Sequence, residues 1–324
     1  PHRHGDWAAN LEAVEQVYLQ LAQAICAREL LLAVCFDFDH QKHVQQLLST
    51  AGIAPSQIRF AQQASNDSWA RDHGPITIMK NGQPHLLDFQ FNGWGGKYPH
   101  ELDNHITAGL HTAGIFGTTP MASLDLVLEG GSIDTDGEGS LLTTRACLAH
   151  PKRNPQLSIT EIEQQLKALL GVERILWLEH GELAGDDTDS HIDMLARFCD
   201  PQTIAYSACT DSSDAHFVEL SAMHEELSTM RRLDGQAYQL VALPIPRAIY
   251  NSQGNRLPAS YANFLIINGA VLVPQYADAV DAVALDRLKT CFPARKVIGI
   301  DCRAIIEQFG SLHCLSMQLP EGVL

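Results

Sequence analysis

Apolar and polar positions alternate along the chain in two rhythms. Short runs rich in Val, Ile, Leu and Phe predict strands at Leu30–Phe36, Pro75–Met79, Leu86–Phe91, Leu126–Leu128, Ser140–Leu148, Ile175–Leu178, Met194–Cys199, Thr203–Ala208, Tyr238–Ile245, Phe264–Val273 and Val297–Ile300. Helical spacing with polar faces covers roughly 11–29, 40–50, 100–113, 158–170, 212–232 and 278–290. Ser158 followed by Glu161 has the form of a capping box. Gly, Pro and Asn punctuate between these stretches, and no linker or low-complexity segment divides the chain.

The helix spacing carries more than any single helix. With 11–29 set aside, the centres lie near 45, 106, 164, 222 and 284, about 60 residues apart, with strand clusters between them. This predicts an α/β fold of five units, each of about three strands and a helix, closed around an axis as one domain over 1–324. The helix at 11–29 stands outside that period.

Reactive polar residues share the spacing. Arg71-Asp72 follow Trp69, Glu129-Gly130-Gly131-Ser132 follow a strand, His191-Ile192-Asp193 close an acidic run, and Cys314 follows His313. The intervals 72 to 129, 129 to 191 and 191 to 314 are 57, 62 and 123, about one, one and two periods. In a radial fold, equivalent positions face the axis, so Asp72, Glu129, His191, Asp193 and Cys314 are expected at one central site. His191 and Asp193 read as neighbours on one face of a strand. A thiolate nucleophile with a histidine as acid and base suits attack on carbon. Flanking carboxylates would repel an anionic substrate and suit the donor fork of a guanidinium. They also raise the thiol pKa, so a bound cation is expected to stabilise the thiolate. The alternation Asp187, Asp189, His191, Asp193 could serve a hard metal. No second ligand cluster accompanies it, and no metal or organic cofactor is expected.

Composition narrows the partners. The chain of 324 residues has 45% hydrophobic and 19% charged residues, an ordinary folded composition. Its 22 Lys+Arg against 38 Asp+Glu give a net charge of −16, which argues against nucleic acid and favours a cationic small molecule. The longest apolar run, Phe264–Val273, is broken by Asn268 and Gly269, so no membrane span is expected. Eight cysteines without a C-x-x-C pair read as reduced thiols of a cytoplasmic protein.

Several ordered motifs resemble the agmatine deiminase family of the guanidine-modifying, or pentein, superfamily. They are Asn66-Asp67-Ser68-Trp69-Ala70-Arg71-Asp72-His73-Gly74-Pro75, Leu128-Glu129-Gly130-Gly131-Ser132 with the stretch 134–139, Gly185 to Asp193, Pro258 to Phe264, and Gly310-Ser311-Leu312-His313-Cys314. The resemblance implies a five-bladed α/β propeller that deiminates agmatine to N-carbamoylputrescine and ammonia, a step toward putrescine. It implies Cys314 as nucleophile, His191 as acid and base, Asp72 and Asp193 as guanidinium ligands, and Glu129 as a supporting carboxylate. Trp69 would wall the channel and Asn263 line it, although the offset of 72 between His191 and Asn263 departs from the period. Two departures stand out. Ser190 occupies a position where glycine is usual, and the chain begins at Pro1-His2 as though a first N-terminal strand were missing. Deimination of free or peptidyl arginine is the alternative within this chemistry. An amidinotransferase, a metal-dependent ureohydrolase and a non-enzymatic binding protein are the more distant ones. A homodimer is one admissible assembly.

Overall fold

Hydrophobic runs pair with their neighbours in sequence, and the pairing repeats. The computed structural model describes residues 1–324. After helix α1 (Leu11–Cys26), β1 (Leu31–Cys35), α2 (Phe38–Thr50) and β2 (Ile58–Gln62) form a two-stranded parallel sheet. The second unit holds α3 (Ala70–His73), β3 (Ile76–Lys80), β4 (Gln83–Gln90), α4 (Gly93–Gly96), α5 (Ile106–Thr112) and β5 (Met121–Val127). The third holds β6 (Ile133–Thr135), β7 (Ser140–Thr144), α6 (Arg145–Leu148), α7 (Ile159–Leu170) and β8 (Arg174–Leu178). The fourth holds α8 (Ile192–Leu195), β9 (Ala196–Asp200), β10 (Thr203–Ala208), α9 (Phe217–Thr229) and β11 (Gln239–Pro244). The fifth holds β12 (Leu265–Ile267), β13 (Ala270–Gln275), α10 (Asp281–Cys291) and β14 (Lys296–Asp301).

Units two to five obey one rule. An antiparallel hairpin is followed by a helical crossover to a parallel third strand, giving β3-β4-β5, β6-β7-β8, β9-β10-β11 and β12-β13-β14. Turn chemistry explains the hairpins. Asn81-Gly82 joins β3 to β4 with φ of 53° and 75°, the left-handed pair such a tight turn needs. Asn268-Gly269 splits the run Phe264–Val273 into β12 and β13. The crossover helices are capped locally: Ser158 and Glu161 form both halves of the capping box of α7, and Gly171 ends that helix at φ 71°.

Several expectations are corrected. The strand expected over Ser140–Leu148 ends at Thr144, whose hydroxyl accepts from the Cys147 N–H and starts α6. Met194 and Leu195 belong to α8 rather than to the following strand. Strands β2 and β6 carried too little apolar alternation to be marked. The helix that broke the period, α1, packs on β1, α2 and β14 and so bridges the first and last units. It buries Val14, Val17, Leu21 and Ile25 in a core cluster of 47 residues. Each such side chain contributes about 1.5–3 kcal/mol when fully buried. Glu29, just beyond α1, accepts the backbone N–H of Asn268 at 3.0 Å.

Candidate active site

Four of the candidate residues sit in the segments that lead into the first strands of units two to five. Asp72 lies in α3, four residues before β3, and Glu129 lies four before β6. Asp193 lies three before β9, Asn263 two before β12, and Cys314 in the loop beyond β14. Asn263 therefore occupies an equivalent place despite its offset of 72. The constant is the position relative to the strand, while the loop between β11 and β12 is long. The expected strand carrying His191 and Asp193 is absent. His191 precedes α8 and Asp193 lies inside it, because Asp189 and Ser190, both at φ 67°, turn the chain sharply.

Gly131 shows how closely these segments meet. A Cβ there would lie 2.7 Å from Asp72 Oδ1, 2.7 Å from His191 Nδ1 and 3.1 Å from Asp193 Oδ2. Only a residue without a side chain lets three reactive groups from two other segments converge on it. Its own N–H donates to Asp72 Oδ1 at 2.9 Å, and Trp94 Nε1 donates to Asp72 Oδ2 at 3.0 Å. His191 Nδ1 stands 3.7 Å from Asp72 Oδ1, too long for a hydrogen bond. Both His191 ring nitrogens and Asp193 Oδ1 are buried without a partner.

The thiol has its own frame. Asn263 Nδ2 donates to Cys314 Sγ at 3.1 Å, and Asn263 Oδ1 accepts the backbone N–H of His313 at 3.0 Å. Cys314 Sγ donates to Asp193 Oδ2 at 3.5 Å, and His313 Nδ1 donates to the same oxygen at 2.7 Å. Arg71 also braces this loop. Its backbone N–H donates to Cys314 O at 3.1 Å, and its guanidinium reaches His313 O and Gln318. Arg71 forms no ion pair with Asp72. Trp69 seats its ring on Gly310, where a Cβ would come within 2.2 Å.

Glu129 and Arg153 are both fully buried, and Arg153 Nε lies 3.0 and 2.9 Å from the two carboxylate oxygens. Arg153 also binds Asp189 Oδ2 at 2.7 Å and Thr188 O at 2.8 Å. Glu129, Cys147 and His191 bring donor atoms within 4.8 Å of one another. This trio does not suit a metal, since Arg153 already occupies both Glu129 oxygens with positive charge.

Electrostatics follow from burial. The Cys314 thiol is pushed well above its usual range by burial, then by Asp193 and Asp72. His191 is held well below its usual range by burial, then by Arg153, and stays neutral. Asp72 is raised by burial and by Asp193 and Glu129, against the donors Trp94 and Gly131. Asp193 is raised to about 7 by burial, with Arg197 and Arg71 opposing.

A cavity of about 170 Å³ opens onto this group. Asp72, His191, Cys314, Trp69 and Trp94 line it, together with Asp6, Asp67, Asp187 and Tyr98 nearer the surface. Asp193, Asn263 and Glu129 stand behind the lining. No Lys or Arg contributes to the wall.

Comparison with known proteins identifies the family. The model of the Porphyromonas-type peptidyl-arginine deiminase family matches residues 1–320. The chain belongs to that family. Among solved relatives of the family, a Porphyromonas gingivalis structure described as a "putative arginine deiminase" is 51% identical, with TM-score 0.91 over 95% of this chain and 90% of that one. A C. jejuni agmatine deiminase, solved as a cysteine-to-serine variant with substrate bound, is 38% identical, with TM-score 0.89 over 97% and 89%. A Vibrio parahaemolyticus protein named "Putative agmatine deiminase" is 34% identical over 99% of this chain and 92% of its own. The family's chemistry is the deimination of guanidino groups, and the five-unit α/β architecture is the family's fold. No helix is long and apolar enough to cross a membrane, and all eight cysteines are free.

Sequence reasoning missed Trp94, Arg153, His313 and Gly131 as functional neighbours. A signal for Trp94 existed: an aromatic residue inside the glycine-dense stretch Gly93-Trp94-Gly95-Gly96 directly after a strand. Arg153 carried none, because its partners lie 24 and 36 residues away.

Proposed function

We propose that this chain, as one catalytic domain, hydrolyses agmatine to N-carbamoylputrescine and ammonia in the cytoplasm. The observation that carries the reading is a small cavity holding a buried thiol beside unpartnered Asp193 and His191 atoms, lined by four aspartates and no cation. Asp72 and Asp193 take the guanidinium, and Trp69 packs along it. The incoming positive charge stabilises the Cys314 thiolate, whose proton passes to neutral His191. The thiolate adds to the guanidinium carbon, and the imidazolium gives its proton to the departing amino group, which leaves as ammonia. An amidino-cysteine cation remains. His191, neutral again, takes a proton from water as its oxygen adds to that carbon. The C–S bond then breaks, and the hydroxyl proton of the intermediate returns to the departing Cys314 sulfur. His191 gives up its proton to the released ammonia or solvent, and the neutral ureido product leaves. Asn263 and His313 hold the thiol and Asp193 in register, and Glu129 shapes the back of the His191 pocket.

Free arginine is disfavoured because its carboxylate would enter a wall of Asp6, Asp67 and Asp187. Burying an unpaired carboxylate there costs several kcal/mol. A thousandfold or larger preference for agmatine in kcat/KM is therefore expected. Ammonia and urea release from agmatine, arginine and an arginine peptide, measured at one pH, tests it. Arginine turnover within tenfold of agmatine overturns the substrate assignment and leaves the deiminase chemistry standing.

A further inference from the structure

The stretch Gly93–Gly96 is wound the wrong way. Gly93, Trp94, Gly95 and Gly96 all have positive φ, at 66°, 55°, 83° and 78°. Three glycines accept this without cost, and a bulky aromatic residue does not. Such a conformation persists only where the surroundings over-determine it, and it clusters at working sites. Here Asn92 secures it, its side chain accepting from Gly95 N at 2.9 Å and donating to Lys152 O at 2.9 Å. Gly93 is pinned as well, because a Cβ would sit 2.4 Å from Tyr98 O.

The strained turn delivers one bond. Trp94 is 6% exposed, and its indole N–H donates to Asp72 Oδ2 at 3.0 Å. Phe91 and Tyr98 grip the ring edge-on, with centroids 4.9 and 5.6 Å away and interplanar angles of 86°. The far end of the turn is latched across the cavity mouth. Lys97 Nζ binds Asp189 Oδ1 at 2.8 Å, and Tyr98 Oη donates to Asp187 Oδ2 at 2.8 Å. The indole also forms part of the cavity wall.

We propose that Trp94 is a positioning residue, its left-handed turn existing to aim the indole N–H at Asp72 and so hold that carboxylate ionised and oriented for the guanidinium. This rests on the proposed deiminase reading, in which Asp72 binds substrate. The groups facing Asp72 make its ionisation precarious. Burial disfavours its charge most, and Asp193 and Glu129 repel it further. Neutral His191 is 3.7 Å away, and the Cys314 thiol is raised in part by Asp72. Arg71, on the same short helix, forms no ion pair with Asp72, and its guanidinium is turned to His313 O and Gln318. The donors to its oxygens are the N–H groups of Trp94 and Gly131.

The test is Trp94→Phe, which keeps an aromatic ring and removes the donor. A benzothienylalanine at position 94, which keeps the bicycle without the N–H, covers the case in which Phe fails to fold. Expected for either is at least a tenfold rise in KM for agmatine with a smaller fall in kcat. The acid limb of the kcat/KM profile should also move to higher pH. Combined with Asp72→Asn, the loss should be far less than additive. An unchanged pH profile, or full additivity with Asp72→Asn, overturns the proposal. Failure of the wild-type protein to release ammonia from any guanidine defeats the parent reading instead, so the two failures are distinct.

Discussion

Two kinds of buried carboxylate sit within one site, and they have been treated in opposite ways. Glu129 is fully buried with both oxygens against Arg153, which also binds Asp189 and Thr188. Asp193 is equally buried, yet one of its oxygens has no partner. Asp72 receives two N–H donors and no cation. The first arrangement is closed, so removing Arg153 strands a buried carboxylate and removing Glu129 leaves Arg153 with Asp189 alone. The second is open, because burial and mutual repulsion leave it short of positive charge. In the proposed reading, a cationic substrate supplies what is lacking. The contrast separates a framework carboxylate from substrate-facing ones without reference to motif, and it is open to measurement.

The largest effect should come from the nucleophile that the open pair surrounds. Cys314→Ser should abolish nearly all turnover, since a hydroxyl beside Asp193 and Asp72 ionises far less readily than a thiol. Mass spectrometry of acid-quenched wild-type protein should find an amidino adduct on Cys314 and on no other cysteine. Substantial turnover by the serine variant would end the covalent mechanism.

Next come the carboxylates themselves, as isosteric amides. Asp72→Asn and Asp193→Asn should each lower kcat/KM by about a hundredfold or more, with equal or greater resistance to denaturant. Glu129→Gln should behave in the opposite sense, with stability falling, though by less than the ~3–5 kcal/mol of a stranded buried charge, because Arg153 keeps Asp189 as its one carboxylate partner. Denaturant unfolding of the three variants checks this, and equal stability losses in all three would erase the distinction.

These outcomes bear on what the sequence could reveal. The five-unit fold was legible because hairpin, crossover helix and third strand recur at nearly constant length. The convergence of Cys314, His191, Asp72 and Asp193 was legible because reactive residue types stood at that same period. Asn263 looked misplaced only because spacing was counted along the chain, where the long loop before it hides its equivalence. The His191–Asp193 pair was placed on a strand because alternation alone cannot report two successive left-handed residues. Arg153 was illegible as a partner because its contacts join residues 24 and 36 positions apart. For Trp94, the glycine-dense stretch signalled a special turn without naming Asp72, 22 residues away, as its partner.

A smaller effect concerns pH. Asp193 rises to about 7 in the folded protein from an ordinary value of 3.8. Its native form thus holds a proton that the unfolded chain releases. The resulting stabilisation is complete below about pH 4 and is lost as pH rises through about 7. Asp193→Asn removes that dependence. The stability of the variant relative to wild type should therefore grow between pH 4 and 8, read as a widening gap in denaturation midpoints. Asp103, also raised to about 7, and Asp187, raised to about 6, are common to both proteins and cancel in the difference. A gap independent of pH would mean that Asp193 is ionised throughout, and that it belongs with Glu129 after all.

The smallest effect uses two adjacent residues with the same backbone. Asp189 and Ser190 both stand at φ 67°, a conformation that costs an L-residue about 1–2 kcal/mol. Ser190 meets its surroundings through its backbone: its N–H donates to Asp186 Oδ2 at 2.8 Å, and its C=O accepts from Thr144 Oγ1 at 2.7 Å. Glycine keeps both bonds and removes the strain, while the freer unfolded chain takes back about 0.5–1 kcal/mol. Ser190→Gly should thus be more stable by no more than about 1 kcal/mol, with kcat/KM within twofold of wild type. Asp189→Gly gains the same relief but loses the carboxylate that binds Lys97 at 2.8 Å and Arg153 at 2.7 Å. It should be less stable, because Arg153 would then have Glu129 as its only carboxylate partner. If both glycine variants shift stability alike, the Arg153 network contributes nothing beyond backbone geometry, and Glu129 loses its claim to be the closed member of the site.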